Sequence, residues 1–300
     1  MTSATPALLA HAEELRAERT PFVLATVVRA QRPTSARPGD RALVFADGTI
    51  EGFVGGTCAE STVRLQGMRL LATGESTLLR ITPEVAGETA GEGIVTIANP
   101  CLSGGTVEIF LEPQLPPALV EVFGDAPIAR ALRTLGTALG YEVRFGRPEA
   151  ELPADTDAVI VASHGHDEDM VLRAALAADI GYIGLIASPR RGRAVLAALD
   201  MPGVERIHTP AGLDIGARTA EEIALSVYAE LIAIRPRRHP ADSPEPAAAP
   251  AEATDPVCGM RVAVTVGALQ STHAGRVHYF CGPGCQQAFI DDPARYLTDV

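Results

Sequence analysis

The sequence predicts an α/β chain with three folded parts: a mixed α/β N-terminal domain, a doubly wound, Rossmann-like parallel sheet, and a small cysteine-rich, metal-binding tail. Three observations lead to this prediction. Short β-rich runs flanked by helices fill the first part, strands alternate with helices in the middle, and three of the five cysteines lie after residue 255. The predicted ranges are 1–115 for the first domain, 116–235 for the second, 236–254 for a linker and 255–300 for the tail.

Turn and helix signals define the N-terminal domain. Thr5-Pro6 is typical of a helix start, and Asp47-Gly48 is a strong hairpin signal. The segment 57–73 is expected to be a helix that ends at Gly74. The expected strands are 21–30, 41–46, 49–53, 76–81, 93–98 and 105–111.

The proline-rich segment 112–117 predicts a domain boundary, because consecutive prolines favour an extended connector. Strands then alternate with helices, which is typical of a parallel, doubly wound sheet. A capping box from Thr219 to Glu222 predicts a last helix ending near Ile234. The expected strands are 118–123, 142–145, 158–162 and 182–186, and the expected helices are 128–139, 170–178 and 193–199. Prolines and alanines after residue 236 predict a semi-stiff, solvated tether.

Charge and composition exclude several classes of partner. The net charge of −12 opposes binding to nucleic acid or to an anionic membrane surface. The first residues lack a signal-peptide pattern and no apolar run is long enough to span a bilayer, so we expect a cytoplasmic protein without a membrane span. The five unevenly spaced cysteines argue against a disulfide framework and leave packing, metal binding or reactivity as their roles.

The tail has the composition of a metal site. Cys258, Cys281 and Cys285 lie beside glycines that allow tight turns, and thiolates suit Zn²⁺, whereas thiolate with thioether suits Cu⁺. A fourth ligand could come from His278, His273, Asp255 or Met260. Of these, His278 is included in the predicted site. The alternative is that the three cysteines are buried as small apolar residues.

Two glycine-rich turns carry the remaining cysteines. The segment Gly55-Gly56-Thr57-Cys58 joins a strand to a helix, whose first N–H groups and positive dipole end favour a phosphate. A helix start also stabilises a thiolate, which makes Cys58 a candidate nucleophile or soft ligand. Cys101 precedes Ser103 and Gly104 in a second turn of this kind. The alternative for each cysteine is burial in a tight turn.

The turn after residue 123 is similar to a dinucleotide-binding loop. Gly124 takes the first glycine position of the G-x-G-x-x-G/A pattern, Ala126 replaces the middle glycine, and Pro127 and Ile128 open the next helix. The strand 142–145 does not end in the acid that usually binds a ribose. A nucleotide site is therefore predicted, but ordinary NAD is not favoured.

Ser163 and His164 follow the apolar strand 158–162, at the carboxyl edge where open α/β sheets bind ligands. Histidine can titrate near neutrality or bind a metal. His164 therefore joins Cys58 and Cys101 as a candidate catalytic residue. The alternative is a loop histidine that caps the following helix.

Several segments resemble the XdhC/CoxI family. They are Gly55-Gly56-Thr57-Cys58-Ala59-Glu60, Cys101-Leu102-Ser103-Gly104-Gly105, Tyr182-Ile183-Gly184-Leu185-Ile186 and Gly212-Leu213-Asp214-Ile215-Gly216. The resemblance implies a protein that assists maturation of xanthine dehydrogenase or aerobic carbon monoxide dehydrogenase and holds the molybdenum cofactor. It also implies that the two cysteines contact this cofactor or transferable sulfur, and it adds Gly184, Gly212, Asp214 and Gly216 to the cofactor-binding candidates.

The tail resembles a YHS domain, a small module believed to bind metal. The resemblance rests on Asp255-Pro256-Val257-Cys258-Gly259-Met260 and His278-Tyr279-Phe280-Cys281-Gly282-Pro283-Gly284-Cys285.

We therefore expect a maturation chaperone that holds molybdopterin cytosine dinucleotide, or a related flavin or nicotinamide dinucleotide. Its expected partners are a molybdenum hydroxylase client and a sulfur or metal donor protein, and a homodimer is the default assembly. The alternative is an oxidoreductase that uses NAD(P) or FAD; a third hypothesis is a metal sensor with a vestigial nucleotide fold. An accessory role is favoured over enzymatic turnover, because no clear proton donor is paired with a hydride site.

Overall fold

The computed structural model of the protein describes residues 4–83, 87–98, 105–234 and 250–297. The chain divides into two compact units. The first combines Met1–Pro116 with Ser243–Val300, and the second is Pro117–Asp242. The tail therefore folds together with the N-terminal domain. Among the described residues, none of the helices has the length and apolarity needed to cross a bilayer.

The N-terminal domain is built on a seven-stranded sheet in the order β3-β2-β1-β7-β4-β6-β5. The strands are β1 Phe22–Gln31, β2 Arg41–Phe45, β3 Ile50–Gly52, β4 Thr77–Thr82, β5 Glu88–Gly91, β6 Ile94–Ala98 and β7 Thr106–Gln114. The helices are α1 Ala4–Ala17 and α2 Thr57–Thr73. Alternate side chains of β1 and β7, such as Val23, Ala25 and Ile109, are fully buried together with Val63 of α2.

Local patterns explain the elements that position the site. The hairpin predicted at Asp47-Gly48 connects β2 and β3, and the Asp47 carboxylate accepts a hydrogen bond of 2.8 Å from the Thr49 N–H. The helix α2 begins at Thr57 and ends at Thr73, and the predicted stop, Gly74, is its C-cap in the left-handed conformation with φ 71°.

Two parts of the first unit differ from the sequence prediction. The strand β5 was not predicted, because all four of its residues are exposed and its side chains show no apolar alternation. The strand β7 continues to Gln114, into the first half of the segment 112–117 that was predicted as a boundary, and the division between the two units follows at Pro116. Residues 112–114 pair with β1 but not with β4. Pro113 therefore lies in a part of β7 that has a neighbouring strand on one side only, where a residue without an N–H is tolerated.

The second unit is a five-stranded sheet in which every paired neighbour is parallel, in the order β12-β11-β10-β8-β9. Numbered within the unit, this is the doubly wound order 2-1-3-4-5, whose switch point lies between β8 and β10. The strands are β8 Leu119–Phe123, β9 Glu142–Phe145, β10 Thr156–Val161, β11 Tyr182–Leu185 and β12 Ile207–His208. The helices are α3 Pro127–Ala138, α4 Glu168–Ala177, α5 Pro189–Leu199 and α6 Ala220–Ile234. The predicted parallel sheet is confirmed.

The tail contains two antiparallel strand pairs and two short helices. The strands are β13 Glu252–Thr254, β14 Arg261–Ala263, β15 Leu269–His273 and β16 Arg276–Phe280; the helices are α7 Pro283–Asp291 and α8 Pro293–Tyr296. Its small core centres on Phe289, which is 1% exposed. The strand β13 lies within the range predicted as linker.

Candidate functional site

A cavity of about 800 Å³ opens at the start of α2, within the first unit. Its walls come from the N-terminal domain and from the tail, and its polar lining consists of Thr34, Ser35, Thr57, Cys58, Cys258, Cys281 and Cys285. None of the described lining residues is charged. An anionic guest would therefore interact with hydroxyl groups, backbone N–H groups and the positive end of the α2 dipole. The volume is within the range of ligand sites.

The backbone at the start of α2 is open to this cavity. Gly56 is the N-cap residue, with φ −70° and ψ 173°, and no side chain caps the helix. A Cβ atom added to Gly56 would have no atom within 4 Å. The preceding Gly55 has φ 140°, a conformation that other residues rarely adopt. The two glycines thus have different roles: Gly55 permits the turn, and Gly56 leaves space for a guest.

Three cysteines of the tail converge on this cavity from different elements. Cys258 lies between β13 and β14, Cys281 directly follows β16, and Cys285 lies in the first turn of α7. The Cys281 sulfur is 3.6 Å from that of Cys258 and 3.7 Å from that of Cys285. With one carboxylate oxygen of Asp255, the three sulfurs lie within 4.8 Å of one another. Three soft atoms at this spacing fit a thiophilic metal ion.

The thiols differ in their readiness to ionise. The Cys258 pKa is lowered, because its thiolate accepts a hydrogen bond from the S–H of Cys281. The Cys281 pKa is raised by its hydrogen bonds to Cys258 and to Cys58, and by burial. Burial raises the pKa of Cys285 to about 12. Cys258 is therefore the first thiol of the tail to lose its proton.

Asp255 fixes the relative position of the cysteine-bearing segments. Its side chain is fully buried, with Oδ1 accepting a hydrogen bond of 2.9 Å from the Val257 N–H and Oδ2 accepting one of 2.8 Å from the Cys281 N–H. The predicted fourth ligand, His278, is outside the group of four. Its ring packs on Phe289 with centroids 4.9 Å apart, and its buried Nε2 has no hydrogen-bond partner among the described residues.

In the second unit, the predicted nucleotide loop lies at the switch point of the sheet. Gly124 has φ 121°, and an added Cβ would overlap the carbonyl of Ala162 at the end of β10. Ala126 is the N-cap of α3 and Pro127 its first residue. His164 follows β10, as predicted, where it is exposed and has φ 54°.

Two glutamates with little exposure support the loops of the second unit, and the sequence analysis missed both. Glu168 is 5% exposed, accepts a hydrogen bond of 2.9 Å from the Gly165 N–H and pairs with Arg191 at 2.5 Å. Glu230 accepts hydrogen bonds of 2.7 Å from the Tyr182 hydroxyl and 2.8 Å from the Gly212 N–H. Glu168 lies among other acidic and polar residues, where a solvated side chain is the usual expectation. Glu230, by contrast, is a single acid in the apolar segment 227–234 of α6, and this contrast is a signal that could have identified it.

The structure brings together some of the predicted site residues and separates others. Gly55, Gly56, Thr57, Cys58 and the three tail cysteines share one region of the first unit. The second unit contains Gly124, Ala126, Pro127, Ile128, Ser163, His164, Gly184, Gly212, Asp214 and Gly216. Of these, Gly184 is buried inside β11, whereas Asp214 and Gly216 are exposed. Cys101, Ser103 and Gly104 lie outside the described residues.

Three protein-family models match separate parts of the chain. The model of the XdhC and CoxI family matches residues 15–82, that of the XdhC Rossmann domain matches residues 120–231, and that of the YHS domain matches residues 253–300. The first two cover most of the N-terminal domain and the parallel sheet, and the third covers the tail.

Individual relatives share parts of this arrangement. The chain is 26% identical over 260 residues to the uncharacterised protein YqeB of Escherichia coli, covering 76% of this chain and 46% of YqeB. It is 38% identical over 82 residues to a probable xanthine dehydrogenase component of Bacillus subtilis, covering 27% of this chain and 24% of that protein. It is 26% identical over 266 residues to the molybdenum cofactor insertion chaperone PaoD of Escherichia coli, covering 71% of this chain and 83% of PaoD.

The chain thus spans less than half the length of the first two relatives. A crystal structure of a xanthine dehydrogenase from Bacillus halodurans aligns with 79% of this chain and 98% of its own, with 18% identity and a TM-score of 0.38.

Proposed function

Because the chain belongs to the XdhC and CoxI family and carries a C-terminal YHS domain, we propose that it is a maturation chaperone of molybdenum hydroxylases. In this role it holds the molybdenum cofactor as cargo while the active site of a client is assembled. The similarity to a molybdenum cofactor insertion chaperone over 83% of that protein's length supports the proposal.

The observation that carries the proposal is the cavity at the start of α2. A guest there meets an open backbone at Gly56, the positive end of a helix and the thiol of Cys58. These groups suit a ligand that carries both a phosphate and a metal centre, because N–H groups bind phosphate oxygens and a thiolate is a soft ligand for metals.

Each group has a distinct role in this proposal. The N–H groups of the first turn of α2 orient the phosphate, and the hydroxyls of Thr34 and Ser35 supply further donors. The Cys58 thiol contacts the molybdenum-bearing end of the cargo. Molybdopterin cytosine dinucleotide is the proposed form of the cargo. In the second unit, the loop at Gly124 is proposed as a separate nucleotide site. A carbon monoxide dehydrogenase-type client, a cytoplasmic location and a homodimer stay predictions.

The proposal is tested by following the molybdenum content of the client enzyme in cells that lack this chain. Complementation with the wild-type chain is expected to restore it, whereas Cys58→Ser restores less than about a tenth. A matched control is Thr73→Ser, an exposed residue at the far end of the same helix, which restores it fully. A client with full molybdenum content in cells without the chain would contradict the proposal.

A further inference from the structure

Cys58 lies with the cysteines of the tail, although it belongs to the N-terminal domain. Its side chain packs against the apolar cluster of Met260, Val262 and Cys281, and its thiol is hydrogen-bonded to that of Cys281. Cys58, Cys258 and Cys285 are therefore grouped around Cys281, which is 3% exposed.

We propose that Cys58 completes, with Cys258, Cys281 and Cys285, a four-sulfur site for one thiophilic d¹⁰ ion, Zn²⁺ or Cu⁺. The ion would bridge the N-terminal domain and the tail. This assignment differs from the sequence prediction, which placed the fourth ligand within the tail itself.

The sulfur spacing fits such an ion. A tetrahedral centre with metal–sulfur bonds of about 2.3 Å places neighbouring sulfurs about 3.8 Å apart. The sulfur–sulfur distances from Cys281 to Cys258 and Cys285, 3.6 and 3.7 Å, are close to this value. The three tail thiols thus need little movement to become ligands, and the Cys58 thiol, hydrogen-bonded to that of Cys281, would move toward the other two to complete the set.

Two of the other candidates for the fourth position, Asp255 and His278, are engaged elsewhere. Both carboxylate oxygens of Asp255 accept backbone hydrogen bonds, so this residue holds the Cys258 and Cys281 segments in place. The His278 ring packs on Phe289, with ring centroids 4.9 Å apart. A carboxylate is also a harder ligand than a thiolate, so a soft ion would favour Cys58 over Asp255.

Two helix starts face the sulfurs and offset their negative charge. Cys58 is in the first turn of α2, and Cys285 is in the first turn of α7. Helix N-termini stabilise nearby anions, including thiolates. This matters because the described residues that line the cavity include no lysine or arginine.

The tail packs along α2, and this packing places Cys58 beside the tail cysteines. Near its other end, Arg69 donates hydrogen bonds of 2.8 and 2.9 Å to the two carboxylate oxygens of Glu252, which also pairs with Arg261. Cys58 and Arg69 are separated by about 16 Å of helix, at 1.5 Å per residue. The tail is thus held on α2 at two points, which limits the freedom of Cys58 relative to the tail cysteines.

The proposed site has a consequence for the cavity, and this consequence rests on the proposed function. Cys58 is both a wall of the cavity and a ligand of the ion. While the ion is bound, the Cys58 sulfur is occupied and closed to cargo; when the ion leaves, the sulfur is exposed. Metal loading of the tail and contact between Cys58 and the cofactor are therefore mutually exclusive.

The test uses the full chain, stripped of metal under reducing conditions and reloaded separately with Zn²⁺ and with Cu⁺. X-ray absorption of the zinc-loaded wild type is expected to show four sulfurs at about 2.3 Å. Cys58→Ser is expected to show three sulfurs and one lighter atom, with at least tenfold weaker binding in a chelator competition. Thermal unfolding of the metal-free variant checks that it still folds, and Thr73→Ser is the matched control on α2.

Alkylation by iodoacetamide gives an independent readout. Cys58 in the metal-free chain is expected to react at least tenfold faster than in the loaded chain, as measured by peptide mass spectrometry. An unchanged sulfur count and affinity in folded Cys58→Ser, or equal alkylation rates, would overturn the proposal. The ion that gives the four-sulfur spectrum at one equivalent identifies the metal.

The same variant separates this inference from the proposed function. If Cys58→Ser keeps four-sulfur coordination but client enzymes lose molybdenum, the composite site is wrong and the maturation role stands. If it loses a sulfur ligand while clients keep their molybdenum, the composite site stands and the cargo role of Cys58 is wrong.

Discussion

Replacing Gly56 by alanine is expected to weaken cargo binding while leaving the fold intact. Its φ of −70° and ψ of 173° suit any residue, and an added Cβ would meet no atom within 4 Å. Alanine is a poorer N-cap than glycine, by up to about 1 kcal/mol. The smaller entropy of the unfolded chain offsets about 0.4–1 kcal/mol of that loss. The free energy of unfolding should therefore change by less than about 0.5 kcal/mol.

The effect on binding is larger, because the new methyl group projects into the cavity. Placing an extra methyl against a fitted guest costs about 1–3 kcal/mol. This corresponds to roughly 5- to 150-fold weaker binding, at about 1.4 kcal/mol per tenfold. The measurement is the molybdenum retained per chain after parallel purification of the variant and the wild type, alongside thermal unfolding by circular dichroism.

Gly55→Ala is the matched control for conformation. Gly55 has φ 140°, and its added Cβ would lie 3.1 Å from the Cβ of Ala59. Strain of this kind costs about 1–3 kcal/mol, so this variant should lose stability. Folded Gly56→Ala with wild-type molybdenum content would show that cargo does not approach Gly56. Equal destabilisation of both variants would refute the assignment of different roles to the two glycines.

Three further predictions concern both units. Gly124→Ala should destabilise the second unit by more than about 3 kcal/mol, because residue 124 has a positive φ and the new Cβ would overlap the Ala162 carbonyl. An unchanged urea midpoint would contradict this. Burial raises the pKa of Glu121 in β8, so the folded state favours the protonated form and its contribution to stability is lost as pH rises through that pKa. Glu121→Gln should therefore raise Tm more at pH 8 than at pH 4, and a gain that is larger at pH 4 would refute the assignment. Asp255→Asn should weaken Zn²⁺ binding about 10- to 100-fold without changing the sulfur count, because Asp255 orients Cys281 but is not a ligand; loss of one ligand atom in the absorption spectrum would contradict this.

Local sequence patterns were sufficient where neighbouring residues determine the structure. The start of α2 follows from two glycines before a helical segment, and the capping box follows from Thr219 and Glu222. In the structure the Thr219 N–H donates to the Glu222 carboxylate at 3.0 Å, and the Glu222 N–H donates to the Thr219 hydroxyl at 3.2 Å. The short strand β12 and the exposed β5 were missed, because neither has enough apolar residues to produce a pattern.

The composition of the thiol cluster could not be predicted from local patterns. Cys58 and Cys281 are more than 200 residues apart in the chain, and they meet because the tail packs along α2. The same holds for the pairing of Arg69 with Glu252. His278 was predicted as a ligand because it is close in sequence to Cys281, but on β16 it shares a strand face with Phe280. Both rings pack on Phe289, with centroid distances of 4.9 and 5.3 Å.

The most direct test of the maturation role is mass spectrometry of the ligands and metals released from the full chain, purified from molybdenum-replete cells without added cofactor. We expect a pterin nucleotide with molybdenum from the wild type, and much less of both from Gly56→Ala. Release of a flavin or nicotinamide dinucleotide without molybdenum, or of no ligand from correctly folded protein, would contradict the account.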